Sequence, residues 1–229
     1  MAIFTPGVAV GQISGRVGGT VFAHNRGGAY MRNGSIPSIV MTQKAMNYKG
    51  YLAAASQAYA NLTDAKAAAW REYAANHPIT NRLGRSHTLS GGNWFVACNA
   101  RLFAAGKNVQ ELPPNAPAPT GSLIVSAAVA AGASTATITL SKNPTGDNKH
   151  AWIRAARVQS GRITNVRNKF TEIKITGANE ASPINIATEL IAELGSLQAG
   201  DWYHFEVRLL DDNTGLISAA AILAVETAA

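Results

Sequence analysis

Residues 122–140 read SLIVSAAVAAGASTATITL. Two runs rich in Val, Ile and Thr, 122–130 and 134–140, flank the small residues AGA at 131–133. Such runs around a short small-residue break predict two β-strands joined by a turn. The pattern continues downstream in HAWIRAARVQ (150–159), RITNVRNKFTEIKIT (162–176), WYHFEVRLLDD (202–212) and GLISAAAILAVET (215–227). Turn-forming KNPTGDN (142–148) and DDNTG (211–215) separate these runs, and Asn213–Gly215 predicts a hairpin turn. One helical pattern interrupts them: PINIATELIAELGS (183–196), with Asn185 or Ser182 as N-cap and Gly195 as terminator. About six or seven short strands predict a β-sandwich of immunoglobulin or fibronectin type over residues 122–229. Trp152, Trp202 and Phe205 are its expected core aromatics.

Upstream, NVQELPPNAPAPTG (108–121) reads as a Pro-rich linker. Residues 41–107 are Ala-rich and follow helical periodicity. TQKAMNYKGYLAAASQAYANL (42–62) starts one helix at Thr42–Gln43. A second, DAKAAAWREYAAN (64–76), begins at Thr63 or Asp64 and stops before Pro78. Its Ala67, Trp70, Tyr73 and Ala74 share one face. A third, GGNWFVACNARLFAAG (91–106), follows Ser90, with Gly106 as its C-terminal cap. Trp70, Tyr73, Trp94 and Phe95 are assigned to the core of this helical module.

Residues 1–40 differ from the rest. They carry Gly at 7, 11, 15, 18, 19, 27, 28 and 34, and Arg at 16, 26 and 32. Val, Ile, Phe, Tyr and Met are scattered between them. Glycine costs entropy to order, whereas the apolar anchors and cations suit burial against a partner. The reading is an extended arm that orders on assembly, with Arg16, Phe22, Arg26, Tyr30 and Arg32 as its partner-binding residues. The complete expectation is an α+β chain: extended arm (1–40), small helical module (41–107), linker (108–121) and β-sandwich (122–229).

Charge supports a binding role for the first half. Residues 1–112 hold eleven Lys/Arg and three acids, a balance of +8, and residues 113–229 hold nine and ten, a balance of −1. No Asp or Glu precedes residue 64. A basic half suits an acidic partner: nucleic acid, an acidic protein surface or a membrane surface. Three Arg in 40 residues is sparse for phosphate binding, which normally clusters Lys and Arg. DNA is therefore a less favoured partner than protein. At 47% hydrophobic and 14% charged residues, the chain has ample core material and few charges for an independent surface.

No catalytic constellation stands out. His24, His77, His87, His150 and His204 include no i, i+3 or i, i+4 pair, so no helical metal pair is expected. Neither a GxSxG elbow nor a Walker A loop occurs. Cys98, the single cysteine, lies in the apolar stripe of the third helix and reads as a core residue. Glu189 and Glu193 are spaced for acid–base work, yet the same spacing is that of an exposed helical face. No cofactor is implied. No compact apolar leader and no run of 18 apolar residues is present, so neither a signal peptide nor a membrane span is expected.

The stretches GQISGRVGGTVFAHNRGGAYMRN (11–33) and LTDAKAAAWREYAANHPITNRLGRSHTLSGGNWFVACNARL (62–102), with the Thr42–Gln43 helix start between them, resemble a family of small structural proteins of tailed bacteriophages and prophages. The likeness covers residues 1–106, and the remainder agrees in architecture only. NGSIPSIVMTQ (33–43) departs from the Pro-rich, Arg-containing text that the family carries there. The resemblance implies a non-enzymatic virion component made in the host bacterial cytoplasm. It implies other virion proteins as partners, the major capsid protein first and tail proteins second, and a homo-oligomer in the particle. A capsid decoration or cement protein, whose arm staples neighbouring subunits, is the expected role. A tail, baseplate or fibre adaptor and a host-surface-binding module are the alternatives.

Overall fold

The computed structural model describes residues 2–5, 7, 12–34, 42–81, 83–122, 124–132, 134–141, 145–163, 165–166 and 168–228. Residues 8–11 and 35–40 of the expected arm, and 142–144 of an expected turn, lie outside these. The fold is mixed α/β, with four helices and several antiparallel sheets among the described residues. It divides into two compact units: residues 1–100 with 111–113, and residues 101–110 with 114–229.

The first unit begins with strands β1 (Ala2–Ile3), β2 (Gly15–Val17), β3 (Thr20–Asn25) and β4 (Gly28–Asn33), forming one antiparallel sheet of order β1-β4-β3-β2. Where an open extended arm is expected, residues 2–3, 15–17, 20–25 and 28–33 are thus paired with one another. The cause is local. Val17 pairs Thr20 across Gly18–Gly19, and Asn25 pairs Gly28 across Arg26–Gly27. Gly18 at φ +56° and Gly28 at φ +108° take backbone conformations that other residues resist.

Helices α1 (Gln43–Ala60) and α2 (Asp64–Asn76) follow. Thr42 caps α1, its hydroxyl accepting from the Ala45 N–H at 3.2 Å. Short strands β5 (Ile79–Thr80) and β6 (Ser86–His87) pair before helix α3 (Gly91–Ala104). The Ser90 hydroxyl accepts from the Asn93 N–H at 3.2 Å at the start of α3. Gly106, at φ +71°, ends it: the Lys107 N–H reaches the Leu102 carbonyl and the Gly106 N–H the Phe103 carbonyl, a Schellman closure.

An aromatic cluster holds the helices of this unit. Trp70 and Phe95 are fully buried and meet edge to face at 5.3 Å, with Tyr59 and Tyr73 against them. Cys98 is fully buried, as its apolar stripe requires. Burial, and to a lesser degree the nearby Cys98, pushes the Tyr73 phenol above its ordinary value. Gly91 is where the backbones meet. A Cβ there would lie 2.7 Å from the Arg71 nitrogen and 2.8 Å from the Trp70 carbonyl carbon. Backbone cannot swing aside as a side chain can, so Gly91→Ala is expected to destabilise this unit by about 1–3 kcal/mol in urea titration. A cost below about 0.5 kcal/mol would refute the contact.

The second unit contains β7 (Ile124–Ala130), β8 (Thr135–Leu140), β9 (Lys149–Val158), β10 (Thr171–Ile175), β11 (Ile184–Asn185), α4 (Ala187–Leu194), β12 (Trp202–Asp211) and β13 (Ala221–Glu226). One sheet has the order β10-β9-β12-β13 and the other β11-β8-β7. Alternate residues of β9 and β12 point one way: Ala151, Ile153, Ala155, then Tyr203, Phe205, Val207 and Leu209. They share one core with Ala136, Ile138 and Leu140 of β8 and Leu190 of α4. A parallel bridge between Ala130 and Ala228 joins the end of β7 to the chain beyond β13.

Trp152 and Trp202 do not enter that core, contrary to expectation. Strand parity places them on the opposite face of the four-stranded sheet, where Trp152 donates to Glu172 at 2.7 Å. Trp202 joins a small outer cluster with Ala156, Val158, Val166 and Phe170. Phe205 is in the core as expected. The run 162–176 yields a strand only from Thr171, because residues before it turn: Ile163 N–H bonds Ser160 and Lys169 N–H bonds Val166. The turn at 211–215 forms, with the Asp211 carboxylate accepting from the Asn213 and Thr214 N–H groups at 3.0 and 3.1 Å.

Candidate interaction surface of the N-terminal sheet

Register sorts the five expected binding residues onto two faces and a turn. Arg16 pairs Val21, which pairs Arg32, so both arginines stand in one row across β2, β3 and β4. The next row on that face is Ala23, Tyr30 and Ile3. Arg16 and Arg32 are exposed, and Tyr30 is half-buried. The Arg16 Nε–H donates to the Gly18 carbonyl at 2.9 Å, which holds its guanidinium over the first turn.

Phe22 lies on the opposite face, paired with Met31. Its ring meets Phe4 edge to face at 5.8 Å. This side is apolar and incompletely covered, with Met31 37% exposed and Val17 70% exposed at the end of the edge strand β2. The sequence reading therefore placed Phe22 with the arginines although they face opposite ways. Met31 is among the apolar anchors that reading counts, whereas Phe4 and Val17 are not singled out; the alternation in TVFAHN and GAYMRN is the signal that puts Phe22 and Met31 on one side.

Arg26 sits at the β3–β4 turn, exposed. The Asn25 carboxamide oxygen accepts from the Gly27 N–H at 2.8 Å and fixes this turn. The loop joining β5 to β6 is tied to it. Asn81 donates its amide to the Gly27 carbonyl at 2.9 Å, and its oxygen accepts from the Leu83 and Arg85 N–H groups. Between these elements lies a recess of about 340 Å³ bordered by Arg26, Tyr30, His87 and Asn93, with Ile3 and Leu89 as apolar walls. Arg26 and Tyr30 thus meet at one place, whereas Arg16 and Arg32 are outside it. Sequence reasoning did not find His87 and Asn93, which lie more than fifty positions further along the chain.

Among the described residues, no group of three or more His, Cys, Asp or Glu side chains converges as a metal site would require. No helix among them is long and apolar enough to cross a membrane. Compared with known proteins, the chain matches no family model and no curated protein.

Proposed function

We propose that this chain is a non-enzymatic structural component of a tailed-bacteriophage particle, of the capsid decoration or cement type, whose N-terminal residues bind neighbouring virion subunits. The observation that carries this reading is the outward display of the N-terminal sheet. Its edge strand β2 is exposed throughout, Val17 and Met31 are uncovered, and Arg16 and Arg32 meet no carboxylate among the described residues, in a segment without acids. An edge strand can accept a neighbour's strand, and repetition on a lattice turns weak single contacts into avidity. The C-terminal unit is read as an immunoglobulin/fibronectin-like sandwich. Its sheet orders support that: first, second and fifth strands in one sheet, and third, fourth, sixth and seventh in the other.

The test is limited trypsin digestion with mass spectrometry on free protein and on purified particles. Cleavage after Arg16 and Arg32 is expected in the free chain and is lost in particles. Absence of the chain from particles, or equal cleavage in both states, overturns the reading. Fractionated heads and tails distinguish a capsid from a tail or baseplate location. Steeply salt-dependent DNA binding, abolished by replacing Arg16, Arg26 and Arg32 with Ala, would favour a nucleic-acid partner instead.

A further inference from the structure

We propose that the recess at the Arg26–Gly27 turn is a carboxylate-binding site, taking an Asp or Glu side chain or a terminal carboxylate of a neighbouring protein chain. This rests on the reading that the N-terminal segment binds protein, and it names the chemistry recognised. Arg26, Tyr30, His87 and Asn93, together with the Asn25 and Asn81 carboxamides, border the recess with protons to donate, and none of the described residues lining it is an acid. The Arg26 guanidinium, Tyr30 hydroxyl and Asn93 carboxamide have no partner among the described residues. His87 Nδ1 is buried and makes no hydrogen bond. The ring turns its Cε1–Nε2 edge toward Gly27, each atom 3.8 Å from where a Cβ there would lie, so the imidazole edge and the unpartnered Arg26 guanidinium line one recess. Buried polar atoms are ordinarily paired, and the Nδ1 of this ring is not.

The candidate acceptors differ in shape. An ionised carboxylate accepts only, at about four lone-pair positions, and a guanidinium grips it with two parallel N–H bonds. Ile3 and Leu89 give the recess apolar walls, which suit the methylenes of an acidic side chain or the body of a terminal residue. A nucleic-acid phosphate brings no apolar part and is normally met by several cations, whereas Arg26 is the one Lys or Arg among the described residues that line this recess. The Asn81 bonds to Gly27, Leu83 and Arg85 leave that side chain no free amide oxygen to compete, and they hold the walls together before any ligand arrives.

The experiment is an NMR titration of the full chain, observing the His87 ring and Asn93 amide signals. The probes are N-acetyl-glutamate amide, N-acetyl-alanine, N-acetyl-glutamine amide and inorganic phosphate. The first two carry a side-chain and a terminal carboxylate, so their ranking distinguishes the two sources. At least one of them is expected to shift both signals, with the neutral glutamine compound silent. Arg26→Gln, with its backbone spectrum unchanged, is expected to weaken binding by about tenfold or more, the loss of a charge-assisted pair. Arg32→Gln, on the same sheet but outside the recess, is expected to leave it unaltered. The proposal fails if neither carboxylate shifts these signals, if Arg32→Gln weakens binding as much as Arg26→Gln, or if phosphate binds more tightly than both. Carboxylate binding without protection from trypsin in particles would keep the site and remove the virion reading.

Discussion

Phe205→Ala is expected to destabilise the second unit by about 3–5 kcal/mol, a large fraction of the 5–15 kcal/mol that holds a typical domain folded. Phe205 is fully buried on β12, and its register partners are Ala155 on β9 and Leu223 on β13. The inward residues of β9 are small at two of three positions, Ala151 and Ala155. Large residues of β12 fill the space they leave: Tyr203 and Phe205 lie parallel with ring centroids 6.2 Å apart. Truncating Phe205 opens a cavity that an alanine-lined strand cannot close, so both transfer and cavity contributions are lost. Ile222→Ala is the contrast. Ile222 is 59% exposed on the neighbouring strand β13 and is expected to cost within about 0.5 kcal/mol. Urea unfolding followed by fluorescence measures both, since Trp152 and Trp202 report from the outer face of the same sheet. Equal costs for the two variants would mean that β12 does not carry the core.

The strand and helix runs were largely legible because their periodicities are local properties. Thr42, Ser90 and Gly106 act at helix ends as their chemistry requires. The face of a strand was harder. Each run carries a Trp in its outer row, followed in WYHFEVRLL by His204, Glu206 and Arg208 and in HAWIRAARV by Arg154, so weighting the largest aromatic over the alternation puts Trp152 and Trp202 in the core. The true inward set, Ile153 and Tyr203 with their alternates, emerges only when pairing fixes parity. In the N-terminal segment, glycine content argued for an open chain. The same segment carries Gly18–Gly19 and Arg26–Gly27, two-residue hairpin turns between alternating residues, with Gly28 opening the strand after the second. The recess was out of reach of any local pattern. It depends on one carboxamide, Asn81, meeting a carbonyl 54 positions earlier.

Trp70→Ala is expected to cost the first unit about 3–5 kcal/mol and to weaken carboxylate binding at the recess with it. Trp70 is fully buried on α2 and touches Phe95 and Tyr73 edge to face. Its indole N–H donates to the Glu111 carbonyl at 2.8 Å, which fastens residues 111–113 to this unit, aided by the Lys66–Glu111 ion pair. The Trp70 backbone in turn lies against Gly91, two residues before Asn93 at the rim of the recess. Packing at Trp70 therefore sets where α3 begins and where the Asn93 amide points. Trp70→Phe separates these contributions. It keeps a ring against Phe95 but leaves the Glu111 carbonyl without its donor, for an expected loss of about 1–3 kcal/mol. Hydrogen exchange over residues 64–76 and 91–100 locates the damage. If Trp70→Phe costs as much as Trp70→Ala, the hydrogen bond outweighs the ring packing. If neither variant changes binding of N-acetyl-glutamate amide, the start of α3 does not position the site.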